Sequence, residues 1–283
     1  MNILKSTMPI VVDGNRIAKE LQEDLAVEVS QLTVTPVFHI IYVGSDPVID
    51  NYLSYKKRFA RHIGVEVNLH QYPSSISLNE LEEEVQRIAS LQQPMIVQLP
   101  LPEHLNTQEV LDVVPENLDV DVLSSSGRAS FVQGTNTLAP PVVASIVEVF
   151  KQYQVSLEGK SIVIVGYGTL VGQPMAAWCD IHNYPYKLIT IDTNEEEKAQ
   201  LLRSADIVIS GAGVPGLINK NLVKEGVIIV DAGTSESGRR IRGDVDRGVA
   251  EVSQLFTPVP GGIGPLTIAL LYRNVVSVYT YDS

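Results

Sequence analysis

Four short apolar runs, residues 161–165, 187–191, 206–210 and 227–231, restrict the fold of this chain more than any other feature. Each is rich in Val and Ile, and helix-sized segments separate them. β-branched side chains favour strands, and strands joined by helical crossovers pair in parallel with both faces covered. The spacing predicts a Rossmann-type, doubly wound parallel sheet over residues 141–266. A similar alternation precedes it. Ile17, Leu21, Leu25 and Val29 mark one stripe of a helix over 15–31, followed by a buried strand, VFHIIYVG, and the helix IDNYLSYKKRFARHIG closed by Gly64. VEVNLHQY reads as a strand, LNELEEEVQRIASL as a helix, and MIVQLPLP as a strand stopped by Pro100 and Pro102. The stretch 117–141, NLDVDVLSSSGRASFVQGTNTLAPP, is rich in Ser, Gly, Asn and Pro and reads as a loop crossing between domains. The final helix, LTIALLYRNVVSVY, is expected to pack back on the first domain. The expected fold is thus two α/β domains around a cleft, one of residues 1–140 plus 267–283 and the other of 141–266.

The first apolar run of the second domain leads into a glycine-rich turn, SIVIVGYGTLVGQP, with Gly166, Gly168 and Gly172 spaced G-x-G-x-x-x-G. A strand, a tight glycine turn and a helix N-terminus together suit a dinucleotide pyrophosphate. The spacing is one residue longer than the usual fingerprint. The next strand candidate ends at Asp192, 20 residues beyond Gly172, where a carboxylate can accept hydrogen bonds from adenosine ribose hydroxyls. The same charge, with NEEE at 194–197, repels a 2′-phosphate, so the pattern favours NAD over NADP.

In the first domain Tyr52 and Lys56 stand at i and i+4 and share a helix face. A lysine shielded from water has a lowered pKa and can move protons or activate water. Gln98 ends a buried strand just before two prolines, a place that lines ligand crevices in α/β folds. Asp119 and Asp121 would point the same way on an extended backbone. TPVPGGIGP (257–265) offers rigid backbone with little side-chain bulk to a flat ligand, Pro260, Gly261 and Gly262 being its centre. Net charge is −12 with no block of Lys and Arg, which argues against nucleic acid and anionic membrane as partners. The histidines show no metal-ligand spacing, and the single Cys179, in MAAWCDI, reads as a buried structural thiol, so no metal site is expected. The N-terminal stretch lacks the apolar core of a signal peptide, and a reducing, cytoplasmic compartment is expected.

These pieces, in this order, resemble the bifunctional methylenetetrahydrofolate dehydrogenase/methenyltetrahydrofolate cyclohydrolase family. The shared stretches are VDGNRIAKEL, VGSDPVIDNYLSYKK, IVQLPLPEHLN, NLDVDV, GYGTLVGQP, ADIVISGAGVPGLI, EGVIIVDAGT, GDV and TPVPGGIGPLT, nearly the whole chain. The resemblance implies that Lys56 assists hydrolysis, that Gln98 orients it, that Asp121 hydrogen-bonds the pterin, and that Tyr52 packs against folate. It also implies folate contacts at Pro260, Gly261 and Gly262. Cofactor contacts are implied at Gly166, Tyr167, Gly168, Thr169, Val171, Gly172, Asp192, Gly211, Ala212, Gly213, Asp231, Gly233 and Thr234. Hydride would pass from 5,10-methylenetetrahydrofolate to a nicotinamide cofactor, and water would convert the methenyl product to 10-formyltetrahydrofolate. A homodimer through the cofactor domain is expected on the same ground.

Three departures from the family pattern stand out. Val122 and Leu123 replace a Gly-Phe after the second aspartate, and Leu138-Ala139-Pro140-Pro141 replaces Pro-Cys-Thr-Pro. Tyr167 and Gly168 stand where NADP-using members commonly carry Arg-Ser, which removes a partner for the 2′-phosphate and again favours NAD. A dehydrogenase without cyclohydrolase, and a silent folate- or nucleotide-binding paralogue, are the other readings these departures leave open.

Overall fold

The computed structural model describes residues 9–237 and 240–281. The chain divides into two units, one formed by the chain up to Ala18 with Val142–Thr267 and the other by Lys19–Pro141 with Ile268–Ser283. Two of the three divisions fall inside the first and last helices, α1 (Gly14–Ser30) and α9 (Ile263–Tyr281), and the third falls after Pro141.

The smaller sheet has three parallel strands, β2 (Val37–Val43), β3 (Glu66–Tyr72) and β4 (Met95–Val97), ordered β3-β2-β4. β2 is the central strand and is buried along almost its whole length, as its mostly apolar run requires, with the buried His39 bonded to His70 and Gln93. Between the strands run α2 (Pro47–Ile63) and α3 (Leu78–Ala89). Asp46 caps α2 by accepting from the amides of Val48 and Ile49, Pro47 opens the helix, and Gly64 closes it in the left-handed conformation at φ 81°. A Ser77–Glu80 capping box starts α3. Two short helices, α4 (Thr107–Asp112) and α5 (Ser125–Val132), follow β4. The stretch 117–141, expected as an inter-domain loop, therefore contains a helix and lies within this unit. Ser124 caps α5 through the Gly127 amide, while Gly127 and Phe131 are buried, so a cap and two contacts make a helix where apolar periodicity is weak.

The larger sheet has six parallel strands ordered β1-β11-β8-β7-β5-β6. They are β1 (Ile10–Val11), β5 (Ile162–Val165), β6 (Tyr186–Ile189), β7 (Ile207–Ser210), β8 (Val227–Asp231) and β11 (Ser253–Phe256). β5, β7 and β8 are fully buried, whereas β6 lies at an edge and is half-exposed. The helices α6 (Pro141–Gln152), α7 (Gly172–Ile181) and α8 (Glu195–Ser204) belong to this part of the chain, and β9 (Ser235–Ser237) and β10 (Arg240–Arg242) form an antiparallel pair. The strand expected over 187–191 ends at Ile189, because the Thr193 hydroxyl accepts the Thr190 amide at 2.9 Å and turns the chain. Ile10 and Val11, expected with the catalytic domain, group with the six-stranded sheet through the pairing of β1 with β11. From β5 the chain adds β6 on one side and β7 on the other, so the connections reverse direction at β5. In doubly wound sheets that reversal marks the ligand crevice. Among the described residues no helix is long and apolar enough to cross a membrane.

Candidate functional site

In the three-stranded unit, Lys56 sits on α2 one turn after Tyr52, and both are half-buried. Gln98 directly follows β4, its amide extending the ladder to the Ile41 carbonyl at 2.8 Å. The Gln98 side chain is fixed at both ends. Its Nε2 donates to the Leu99 carbonyl at 2.8 Å, leaving Oε1 to accept from Lys56 Nζ at 2.8 Å. The Leu99–Pro100 bond beside it is cis, as is Val259–Pro260 in the other glycine–proline loop. An isolated parallel bridge pairs Asp119 with Met95, so the following residues run toward the Gln98 end of β4 and bring Asp121 into the field of Lys56.

The two aspartates do not lie on an extended strand. The chain turns at Val122, whose φ is +57°, and the buried Asp119 carboxylate accepts the amides of Leu123 (2.9 Å) and Ser124 (2.8 Å). Asp119 is a cap, and Asp121 alone is left to the site. Burial lowers the Lys56 pKa while Asp121 opposes that shift, and burial raises the Asp121 pKa while Lys56 opposes it. Burial thus disfavours the charged form of each group, and each partly restores the charged form of the other.

In the six-stranded unit the glycine turn follows β5. Gly166 has φ +85°, and a Cβ there would strike the Ala212 amide and the Gly211 carbonyl of the loop after β7. A Cβ on Gly172 would overlap the Gly166 carbonyl. Val171 is buried against Gly211, whereas Tyr167, Gly168 and Thr169 are exposed and Gly168 faces open space. Gly213 lies beside the Thr234 carbonyl, which brings the loops after β7 and β8 together. Asp192 is exposed in the turn after β6, next to Ile191, which is 99% exposed. NEEE is the Asn194-capped first turn of α8, where three glutamates suit the helix dipole. Asp231 is buried and its carboxylate accepts backbone amides. Gly261, at φ +106°, accepts the Gly14 amide at 2.8 Å, and Pro260, Gly261 and Gly262 all belong to this unit. Lys56, Gln98 and Asp121 thus come together in one unit and the glycine loops in the other.

Residues 12–121 match the catalytic domain of tetrahydrofolate dehydrogenase/cyclohydrolase, and residues 140–283 match its NAD(P)-binding domain. The chain belongs to the tetrahydrofolate dehydrogenase/cyclohydrolase family. The bifunctional protein FolD of Nautilia profundicola is 34% identical over 276 residues, covering 94% of this chain and 95% of that one. The crystal structure of the Campylobacter jejuni FolD methylenetetrahydrofolate dehydrogenase/cyclohydrolase superposes with a TM-score of 0.92 at 29% identity, covering 96% of this chain and 99% of the other. The Trypanosoma brucei methylenetetrahydrofolate dehydrogenase-cyclohydrolase, complexed with NADP and an inhibitor, has a TM-score of 0.92 at 27% identity, with coverage of 98% and 99%.

A nicotinamide cofactor fits what this dehydrogenase/cyclohydrolase presents. The turn after β5 leaves no room for side chains at Gly166 or Gly172, while Gly168 opens outward, the shape of a cradle lined by backbone. Sequence reading missed two supports of the Lys56 site, both on α9. The Tyr272 hydroxyl donates to the Lys56 carbonyl at 2.8 Å, with Phe59 stacked on its ring and Phe38 edge-on. Asn274 Nδ2 donates to the carbonyls of Val120 (2.9 Å) and Ala139 (2.8 Å), tying together the two segments that depart from the family pattern. The only signal for them was a Tyr and an Asn on the apolar side of an otherwise hydrophobic helix.

Proposed function

We propose that the chain oxidises 5,10-methylenetetrahydrofolate to the methenyl form and then hydrolyses that product to 10-formyltetrahydrofolate. The observation that carries this reading is the 2.8 Å bond from Lys56 Nζ to a Gln98 amide that is itself anchored to Leu99, with Asp121 in the field of the amine. When bound, the nicotinamide cofactor supplies the acceptor for the hydride. The backbone of Gly166–Gly168 and Gly211–Gly213 binds and orients it. Asp121 holds the pterin by its ring nitrogens, and Tyr52 packs against it. After hydride loss the methenyl carbon is electron-poor, and water adds to it. Lys56, its pKa lowered by burial, takes one proton from that water in its amine form and returns it to the ring nitrogen as the C–N bond opens, while the remaining hydroxyl proton leaves to solvent as the formyl C=O forms. Gln98 keeps the lone pair and protons of Lys56 in register with the carbon, a positioning effect.

The cofactor is read as NAD. Asp192 stands exposed in the turn after β6, where the adenosine ribose is bound in such folds, and Tyr167-Gly168 offers no guanidinium to a 2′-phosphate. A cytoplasmic homodimer joined through the cofactor-binding unit completes the proposal. Steady-state kinetics with methylenetetrahydrofolate and each dinucleotide test it, followed on the same sample by decay of the methenyl product. The expected result is a lower KM for NAD than for NADP and methenyl decay faster than in buffer. Absence of turnover with either dinucleotide would contradict the function, and equal or better use of NADP would contradict the cofactor assignment alone.

A further inference from the structure

Behind the glycine loops of the six-stranded unit lie two buried carboxylates to which the mechanism gives no role. Asp244 is 0% exposed and Asp231 is 1% exposed. Asp244 Oδ2 accepts the Ser210 hydroxyl and the Ala212 amide, each at 2.7 Å, and Oδ1 accepts the Val214 amide at 2.7 Å. These three bonds bracket Gly211–Gly213, the loop that packs against Gly166. Bonds to an ionised acceptor are short and strong, and in a dry interior they fix the donors firmly.

Asp231 supports Asp244 from the next strand. Its Oδ1 accepts the amides of Gly233 (3.0 Å) and Asp244 (3.2 Å), and Oδ2 accepts the amide of Val245 (3.0 Å). The Asp231 amide donates to the Thr257 hydroxyl at 2.7 Å. Space for both carboxylates depends on glycine, since a Cβ on Gly233 would overlap the Asp244 carboxylate and one on Gly243 would overlap that of Asp231. The bonds form one chain: the end of β8 holds the backbone at Asp244, and the Asp244 side chain holds the loop after β7.

We propose that Asp244 is a positioning residue for dinucleotide binding, its carboxylate holding Gly211–Val214 against the glycine turn in the conformation that receives the cofactor. This rests on the cofactor reading given above. The geometry explains why the loop needs an anchor: Gly213 has φ +70° and is exposed, and without Asp244 the Ala212 and Val214 amides would lose their buried acceptor.

The test is titration of NADH into the full chain, read by nucleotide fluorescence, with hydrolysis of methenyltetrahydrofolate measured beside it without dinucleotide. Asp244→Asn cannot accept from three donors at once, and its dissociation constant for NADH should rise roughly tenfold to a hundredfold while hydrolysis is retained. Ser210→Ala removes a single hydroxyl donor, and should weaken NADH binding roughly threefold with a small fall in melting temperature and the fold retained. Unchanged NADH affinity in both variants overturns the proposal. Should Asp244→Asn fail to fold, Ser210→Ala decides it, since unchanged affinity there leaves Asp244 a purely structural residue. An unsubstituted chain that binds no dinucleotide overturns this proposal together with the cofactor reading, an outcome distinct from loss confined to the variants.

Discussion

In the three-stranded unit the proposed reactive groups are side chains, Lys56 in the middle of α2, Gln98 just after β4 and Asp121 just before the turn at Val122. In the six-stranded unit the proposed cofactor surface at the strand ends is mostly backbone, Gly166–Gly168 and Gly211–Gly213, and the charged groups Asp231 and Asp244 are buried. The difference follows from the two tasks. Hydrolysis needs a proton carrier with a tuned affinity, which only a side chain provides, whereas a dinucleotide needs close approach and a fixed cradle, which side chains would obstruct. One site is therefore sensitive to chemistry and the other to volume.

Substitutions in each unit should break one function and spare the other. Gly172→Val places side-chain atoms on the Gly166 carbonyl and should lower hydride transfer by about a hundredfold or more, with methenyl hydrolysis retained. Parallel loss of both activities would mean that the two sites are not separable. A second contrast is in pH dependence. Burial, with Asp244 nearby, raises the Asp231 pKa from 3.8 to about 7, against the backbone amides that lower it. Between those values the folded chain keeps a proton that the unfolded chain has released. The contribution of Asp231 to stability is therefore full below the lower value and is lost as pH rises toward 7, by a few kcal/mol at most (about 1.4 kcal/mol per unit). Urea denaturation followed by Trp178, which lies on α7 in this unit, should show that fall, and a flat or rising profile would contradict it.

Gln98→Ala tests the other site more gently. It removes the acceptor of Lys56 Nζ and should slow hydrolysis roughly tenfold to a hundredfold without changing the affinity for NADH. The smallest effect is expected at Val122. Replacement by Gly forfeits a buried side chain but relieves a β-branched residue of a left-handed backbone, for a net loss of about 1 kcal/mol. Val120→Gly, equally buried and without a positive φ, should cost clearly more in chemical denaturation. Equal losses would show that the turn at Val122 carries no strain.

Sequence reading succeeded where one residue type has one physical use. Runs of Val and Ile at 161–165, 206–210 and 227–231 became buried strands, and Gly64 became a left-handed cap. Lys56, Gln98 and Asp121, far apart in sequence, lie close together in one unit. It failed where tertiary bonds decide. α5 forms around a Ser124 cap and the burial of Phe131, with little periodicity to announce it. Asp119 and Asp121 look equivalent in NLDVDV, yet the turn at Val122 sends one to backbone amides and leaves the other to the site. The roles of Asp244 and Asn274 could not be read from the sequence because the acceptors and donors of their side chains lie 30 or more residues away, at Val214 and Val120 among others.

The most direct test of the account is Lys56→Met, assayed for both reactions on one preparation. Methenyl hydrolysis should fall by about a hundredfold to ten-thousandfold, with NADH affinity unchanged. Hydrolysis that survives at the rate of the unsubstituted chain would contradict the role of Lys56 and, with it, the placing of hydrolysis in the three-stranded unit.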